Sequence, residues 1–113
     1  MIQSYGDGRF RIGGEVHVGS ALVFAEETHA WDADRPGDIS IDSLQPVFDT
    51  VPDGGLLVIG CGPAFVPPPK GFRATLKGHG FALEWMATGA ACRTFNVLLI
   101  EERSAVAALI AVD

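Results

Sequence analysis

The chain has 113 residues, of which 48% are hydrophobic and 19% charged, so it can bury a core and is not expected to be disordered. Its 14 acidic residues outnumber its 8 basic ones, and the basic residues are dispersed along the chain. Nucleic-acid binding needs a basic stripe, so we expect no nucleic-acid partner. The segment Met1–Asp7 lacks the pattern of a signal peptide, and no apolar run approaches the roughly 20 residues of a membrane helix. We therefore expect one soluble, cytoplasmic domain over residues 1–113, without membrane insertion.

The first third of the chain predicts β-structure. Short apolar or alternating runs are separated by the glycine-containing pairs Gly13-Gly14 and Gly19-Ser20. The predicted strands are Phe10–Ile12, Glu15–Val18, Ala21–Phe24 and Thr28–Trp31. Such closely spaced strands favour antiparallel hairpins, and the acidic loop Asp32–Asp38 that follows them is expected to be exposed.

The rest of the chain alternates between helix and strand patterns. The run Leu56–Ile59 is apolar on both faces of a strand, as expected for a central strand covered on each side. A strand–helix–strand order around it predicts a parallel crossover. The predicted elements are a short helix from Ser40 or Asp42 to Phe48, a helix from Pro67–Pro69 to Gly78, a strand Phe81–Trp85, a helix from Thr88 to about Ile100, and a strand Ser104–Ile110. The expected fold is three-layered α/β, with a central mixed β-sheet, helices packed on it and an extra N-terminal β-hairpin layer.

The first candidate site is Gly60-Cys61-Gly62, at the end of the predicted central strand. Ligands in α/β proteins often bind beyond the carboxyl ends of strands, where glycines allow close approach to the backbone. The motif is not a phosphate-binding fingerprint, because the third glycine is missing and Pro63 removes a donor. A tight exit from the strand, requiring positive φ, is the structural alternative.

The second candidate site is the helix start Thr88-Gly89-Ala90-Ala91-Cys92. The N–H groups of a first helical turn have no intrahelical partners and attract anions, unless Thr88 caps the helix. We place Cys92 in that first turn, where the helix and Arg93 would lower the pKa of its thiol. A nucleophile also needs a base, and the spacing places none beside Cys92 among the three histidines, His17, His29 and His79. Cys92 is therefore interpreted as a small buried residue, and we predict no catalytic residues.

Two polar residues follow on the same predicted helix, Arg93 and Asn96. Asn96 lies four positions from Cys92 and three from Arg93, so the three share neighbouring surface. They either line a pocket or anchor loops through hydrogen bonds. The histidines and the two cysteines have no metal-ligand spacing, so neither a metal nor a cofactor is predicted. Whether Cys61 and Cys92 meet stays open.

The run from Glu84 to Leu99, with Ala91-Cys92-Arg93-Thr94-Phe95-Asn96 at its centre, resembles the signature of an uncharacterised domain family. Its animal members include a mitochondrial respiratory complex I assembly factor and an adipogenesis-associated protein. Further similarity comes from Ile2–Gly13, from Leu57–Gly62 and from Ala107–Ile110, so the resemblance covers nearly the whole chain. It implies a three-layered α/β fold.

Three positions depart from the family pattern: Ala87 replaces a usual Asp, Cys61 a common Thr, and Glu102 a usual Gly. The loss of an acid at 87 weakens any role for it as a catalytic base, and the loop at Glu102 is where the backbone would differ.

The resemblance implies a non-enzymatic accessory or assembly module, which would bind a protein partner through Gly60–Gly62 and Thr88–Asn96. A small-molecule or anion-binding pocket at the same residues is the alternative. A structural domain that oligomerises through Phe65 and Val66 is the third. The oligomeric state stays open.

Overall fold

The computed structural model describes all 113 residues, and it consists of eight strands and three α-helices. The elements in chain order are β1 (Ile2–Gly6), β2 (Arg9–Ile12), β3 (Glu15–Val18), β4 (Ala21–Val23), β5 (Thr28–Ala30), α1 (Gln45–Thr50), β6 (Gly55–Gly60), α2 (Phe72–Gly78), β7 (Phe81–Met86), α3 (Thr88–Ile100) and β8 (Ala105–Leu109). Two single turns of 3-10 helix, Pro36–Asp38 and Asp42–Leu44, lie between β5 and α1. None of the helices has both the length and the apolar character that crossing a membrane requires.

A five-stranded mixed sheet forms the centre of the molecule, with the strand order β5-β4-β8-β6-β7. Strand β4 runs antiparallel to β5 and β8, whereas β6 runs parallel to β8 and β7. The apolar run Leu56–Ile59 lies in β6 between two neighbours, and alternate residues of it enter the cores on opposite faces of the sheet. The predicted central strand and the parallel β6–α2–β7 unit are therefore confirmed.

Helices cover both faces of this sheet. On one face, Val47 of α1 and Leu76 of α2 pack in a core with Leu57 and Ile59. On the other face, α3 packs Ala91, Cys92 and Phe95 against Val58 of β6 and against two alanines of β8, Ala105 and Ala107. The small side chains of Ala105 and Ala107 let α3 lie close to the sheet. The predicted three-layered α/β class is confirmed.

Strands β1, β2 and β3 form a separate antiparallel sheet beside α3. Phe10 and Ile12 point into the core that α3 shares with the central sheet, which fixes the small sheet against the helix. Gly13 and Gly14 have φ values of 56° and 86°, as a two-residue type I′ hairpin turn requires. The N-terminal β-layer is thus confirmed, although its first strand, Ile2–Gly6, was not predicted as a strand.

The helix predicted from the prolines at 67–69 begins later, at Phe72. Gly71 before it has a φ of 78°, a conformation that glycine adopts without strain, and the prolines belong to an extended loop. The indole Nε1 of Trp85 donates to the carbonyl oxygen of Val66 at 2.6 Å. The loop after β6 is therefore tied to β7, with Phe65 60% exposed on it.

Candidate functional site

The two candidate segments of the sequence meet where β6 ends and α3 begins. A Cβ at Gly60 would lie 2.9 Å from the Cα of Thr88, too close for any side chain. Gly62 has a φ of 115°, a value that residues with a side chain rarely adopt. The glycines are therefore explained by close backbone packing at Gly60 and by conformation at Gly62.

The Thr88 hydroxyl holds this junction together. It donates to the carbonyl oxygen of Ile110 at 2.8 Å and accepts the N–H of Gly62 at 3.0 Å. The Thr88 N–H donates in turn to the Gly62 carbonyl oxygen at 2.8 Å. The side chain is fully buried, so one hydroxyl joins β6, α3 and the end of β8. It does not cap its own helix, and the junction is packed rather than open.

Cys61 and Cys92 are buried free thiols in different cores. Cys61 packs on the face that carries α1 and α2, whereas Cys92 packs on the face that carries α3. The expectation that Cys92 lies in the first turn of α3 is wrong, because it is the fifth residue of that helix. Burial raises the pKa of the Cys92 thiol to about 12, and the opposing effects of Arg93 and a backbone hydrogen bond are smaller. The expected lowering of its pKa does not occur.

Asn96 is engaged with the N-terminal strand. Its Nδ2 donates to the carbonyl oxygen of Ile2 and its Oδ1 accepts the N–H of Ile2, both at 2.8 Å. One amide side chain thus imitates a strand partner and ties β1 to α3. Of the two interpretations given for Asn96, this geometry favours the anchoring one.

An open cavity of about 380 Å³ lies at the start of α3. Of the predicted site residues, only Gly89 and Arg93 line it, since Gly60, Cys61, Gly62, Thr88 and Cys92 are buried. The other lining residues are Tyr5, Pro63, Ala87, Ala90, Val112 and Asp113. We call this set of eight residues the helix-start surface. Whether it binds anything stays a prediction.

Tyr5 is the largest residue of this surface that the predicted site did not include. A Cβ at Gly89 would lie 2.5 Å from the Tyr5 hydroxyl oxygen and 3.0 Å from its Cζ, so the tyrosine lies directly over the glycine. The available signal was that this is the only tyrosine of the chain, within the segment that carries the family resemblance.

Ala87 is the N-cap residue of α3, and no side chain caps the helix. The first-turn N–H groups of Gly89 and Ala90 therefore have neither an intrahelical acceptor nor a side-chain cap. An aspartate at position 87 would have the stereochemistry of an N-cap, which gives the acid of the family pattern a structural explanation. No group of three or more His, Cys, Asp or Glu side chains is arranged to hold a metal ion.

A comparison with family models matches residues 2–110 to a family described as "Protein of unknown function (DUF498/DUF598)". The chain belongs to this family. The match includes both sheets, α3 and the junction at Thr88, and it confirms the resemblance seen in the sequence.

Proteins that are similar in sequence to this chain come from bacteria and from animals. An uncharacterised protein of Rhodobacter capsulatus is 37% identical, over 96% of this chain and 82% of that protein. NADH dehydrogenase [ubiquinone] 1 alpha subcomplex assembly factor 3 of Danio rerio is 34% identical over 97% of this chain, which spans 63% of the length of that relative. Proteins of the same name from Xenopus tropicalis and Drosophila melanogaster are 31% and 33% identical.

Solved structures share the fold. A crystal structure described as that of an outer membrane protein from Bartonella henselae is 33% identical, covers 99% of this chain and 94% of its own, and superposes with a TM-score of 0.89. The architecture of the two sheets and three helices is therefore common to both proteins.

Proposed function

We propose that this protein is a non-enzymatic accessory factor that binds another protein through the helix-start surface during assembly of a larger complex. The animal relatives named as NADH dehydrogenase assembly factors support an assembly role, and NADH dehydrogenase is the complex to test first. This chain spans 63%, 60% and 58% of the length of those relatives. That this chain shares the role of the whole proteins is therefore part of the proposal.

The observation that carries the proposal is the composition of the helix-start surface. Tyr5 is 44% exposed, and Arg93 is exposed and makes no ion pair. A few residues supply most of the binding energy in protein interfaces, and tyrosine and arginine are enriched among them. Here the aromatic ring of Tyr5 is also held in place, because it packs directly over Gly89. Little conformational entropy is lost when such groups are buried by a partner.

The protonation state of the Cys92 thiol supports the non-enzymatic part of the proposal. A cysteine attacks as its thiolate, and a thiol with a pKa of about 12 is almost wholly protonated near neutral pH. Its side chain is also only 3% exposed. Thiol chemistry at Cys92 would therefore need both a proton acceptor and an opening of the core.

The proposal is tested by deleting the gene and measuring assembled NADH dehydrogenase on native gels. We expect loss of the assembled complex, and its return when the wild-type protein is supplied. Tyr5→Ser and Arg93→Glu should fail to restore assembly, whereas Ile100→Ser should restore it. Ile100 is a matched control because it is also a large exposed side chain, 69% exposed, at the far end of α3.

The contact itself is tested with an aromatic photo-crosslinking amino acid in place of Tyr5, which lines the cavity. Cross-linking to a subunit or a second assembly factor of the complex supports the proposal, provided that Arg93→Glu weakens it. Normal assembly of NADH dehydrogenase in the deletion strain would refute the link to that complex. Unimpaired cross-linking in the Arg93→Glu protein would refute the helix-start surface as the contact.

A small ligand is the second candidate occupant of this cavity, whose volume of about 380 Å³ falls within the range of small-molecule sites. A ligand that binds only the folded state raises the melting temperature with the logarithm of its concentration. Thermal-shift titrations with inorganic phosphate, nucleotides and carboxylic acids therefore separate the two candidates. Stabilisation that disappears in Arg93→Glu favours a ligand, and unchanged melting favours a protein partner.

A further inference from the structure

The small sheet has an outer face that no other element covers. Side chains alternate across a strand, and Phe10 and Ile12 point inward to α3, so their neighbours on β2 point outward. The register places Arg9 opposite Val18 and Arg11 opposite Val16 on this outward face. Val18 is 77% exposed and Val16 is 49% exposed. We call these four residues the arginine–valine face.

The two arginines of this face have no carboxylate partner. Their only polar contacts are long: Arg9 Nε donates to the carbonyl oxygen of Asp7, and Arg11 donates to that of Gly14, both at 3.4 Å. None of the three ion pairs of the structure includes either arginine. The chain carries a net charge of −6, so this positive face stands out from the rest of the molecule.

Strand β3 also has an unpaired edge. The hairpin turn at Gly13-Gly14 makes Ile12 and Glu15 a hydrogen-bonded pair, and the pairs then alternate along the ladder. Val16 and Val18 consequently belong to the pairs that are not hydrogen-bonded to β2. Their backbone N–H and C=O groups point away from β2, toward solvent, and are free to accept a further strand.

We propose that β3 accepts an extended acidic segment of a partner protein as a fourth strand, with carboxylates at alternate positions lying over the arginine–valine face. The segment satisfies the backbone groups of Val16 and Val18 and brings carboxylates to Arg9 and Arg11. This site is separate from the helix-start surface, because Tyr5 points toward α3 from the opposite face of the sheet.

The other occupants fit the face less well. A second copy paired through β3 would bring only Val16 and Val18 to the outer face, and it would leave the arginines of both copies without carboxylates. An anionic membrane would attract Arg9 and Arg11, but it would supply no strand to pair with the edge N–H and C=O groups of Val16 and Val18.

The test measures binding of a fluorescein-labelled Glu-Val-Glu-Val-Glu-Val peptide to the whole chain by anisotropy, with amide shifts read by NMR. We expect shifts at the amides of Val16 and Val18. Arg9→Glu combined with Arg11→Glu should weaken binding by about tenfold or more, since both charge contacts are reversed. The matched control, Lys70→Glu combined with Lys77→Glu, makes the same change in net charge elsewhere and should have little effect.

Backbone pairing is tested separately with two peptides, N-methylated at every valine or at every glutamate. One of the two should lose binding, because only one set of peptide N–H groups faces β3. No binding at millimolar peptide, or equal binding by both methylated forms, overturns the proposal. So does binding to phosphatidylglycerol vesicles without binding to the peptide, or a concentration-dependent dimer that Arg9→Glu leaves intact.

Discussion

Replacement of Thr88 by valine tests whether the junction of β6, α3 and β8 is structural. Valine has nearly the same shape as threonine but no hydroxyl. The variant therefore removes the acceptor of the Gly62 N–H and the donor to the Ile110 carbonyl oxygen, without opening a cavity. Both groups lie in a buried environment, with Thr88 itself fully buried, so water does not replace the lost partners.

The expected cost follows from those two groups. A buried polar group left without a partner costs about 1–3 kcal/mol, so the two groups orphaned in Thr88→Val should lower the free energy of unfolding by about 2–6 kcal/mol. A domain of this size has only about 5–15 kcal/mol of stability in total. Thr88→Ser keeps the hydroxyl and loses one methyl group, which should cost about 1 kcal/mol.

Urea denaturation of the three proteins measures these differences, and hydrogen exchange of the Gly62 amide locates them. We expect Gly62 to exchange much faster in Thr88→Val than in Thr88→Ser. The hydrogen-bond explanation fails if serine is as destabilising as valine, because the lost methyl contact would then account for the effect. It also fails if valine costs less than about 1 kcal/mol.

Four further changes test other parts of the structure. Asn96→Ala should lower stability by about 1–2 kcal/mol and accelerate exchange of the Ile2 amide, because both hydrogen bonds to that residue are lost; unchanged exchange would contradict the anchoring role. Burial raises the pKa of Cys92 from 9.0 to about 12, so the folded state favours the protonated thiol. The resulting contribution to the free energy of unfolding is complete below pH 9 and is lost as the pH rises toward 12. The free energy of unfolding should fall in that window by up to about 1.4 kcal/mol per pH unit relative to Cys92→Ala, and parallel pH profiles would refute this. Glu102 has a φ of 57° just after α3, so Glu102→Gly should raise stability by about 0.5–1 kcal/mol in a thermal melt; a lower melting temperature would show that no strain is relieved. Ala87→Asp should raise stability by about 1 kcal/mol, as an N-cap acceptor for the first turn, and a pH-independent or negative effect would argue against capping.

The sequence predicted the elements whose patterns are local. The helix Thr88–Ile100 was predicted with its observed bounds, since a small-residue start after a strand is followed by an apolar stripe with helical spacing. The strand at Leu56–Ile59 was recognisable because successive residues are apolar, so that both of its faces are apolar. Such a pattern is typical of a strand that is covered on each side. The helix expected at Pro67–Pro69 was misplaced because proline permits a helix start without requiring one.

The candidate site was predicted only in part, for a related reason. Local glycines and a helix start indicated correctly that Gly60–Gly62 and Thr88 lie together. The pattern did not separate packed residues from open ones, so Cys92 and Asn96 were grouped with Arg93 although only the arginine faces the cavity. Exposure depends on what the rest of the chain places against each residue.

Composition and periodicity by themselves determined the fold class, the central strand and the long helix, because these follow from which residues must leave water. Only the tertiary structure decided what the segment from Thr88 to Asn96 does. Asn96 forms hydrogen bonds with Ile2, 94 positions away, and Thr88 donates to Ile110, 22 positions away. The pKa of Cys92 is high because strands distant in the sequence bury its thiol. Contacts of this kind have no signature in the neighbouring sequence, since each partner is brought there by the packing of the whole chain.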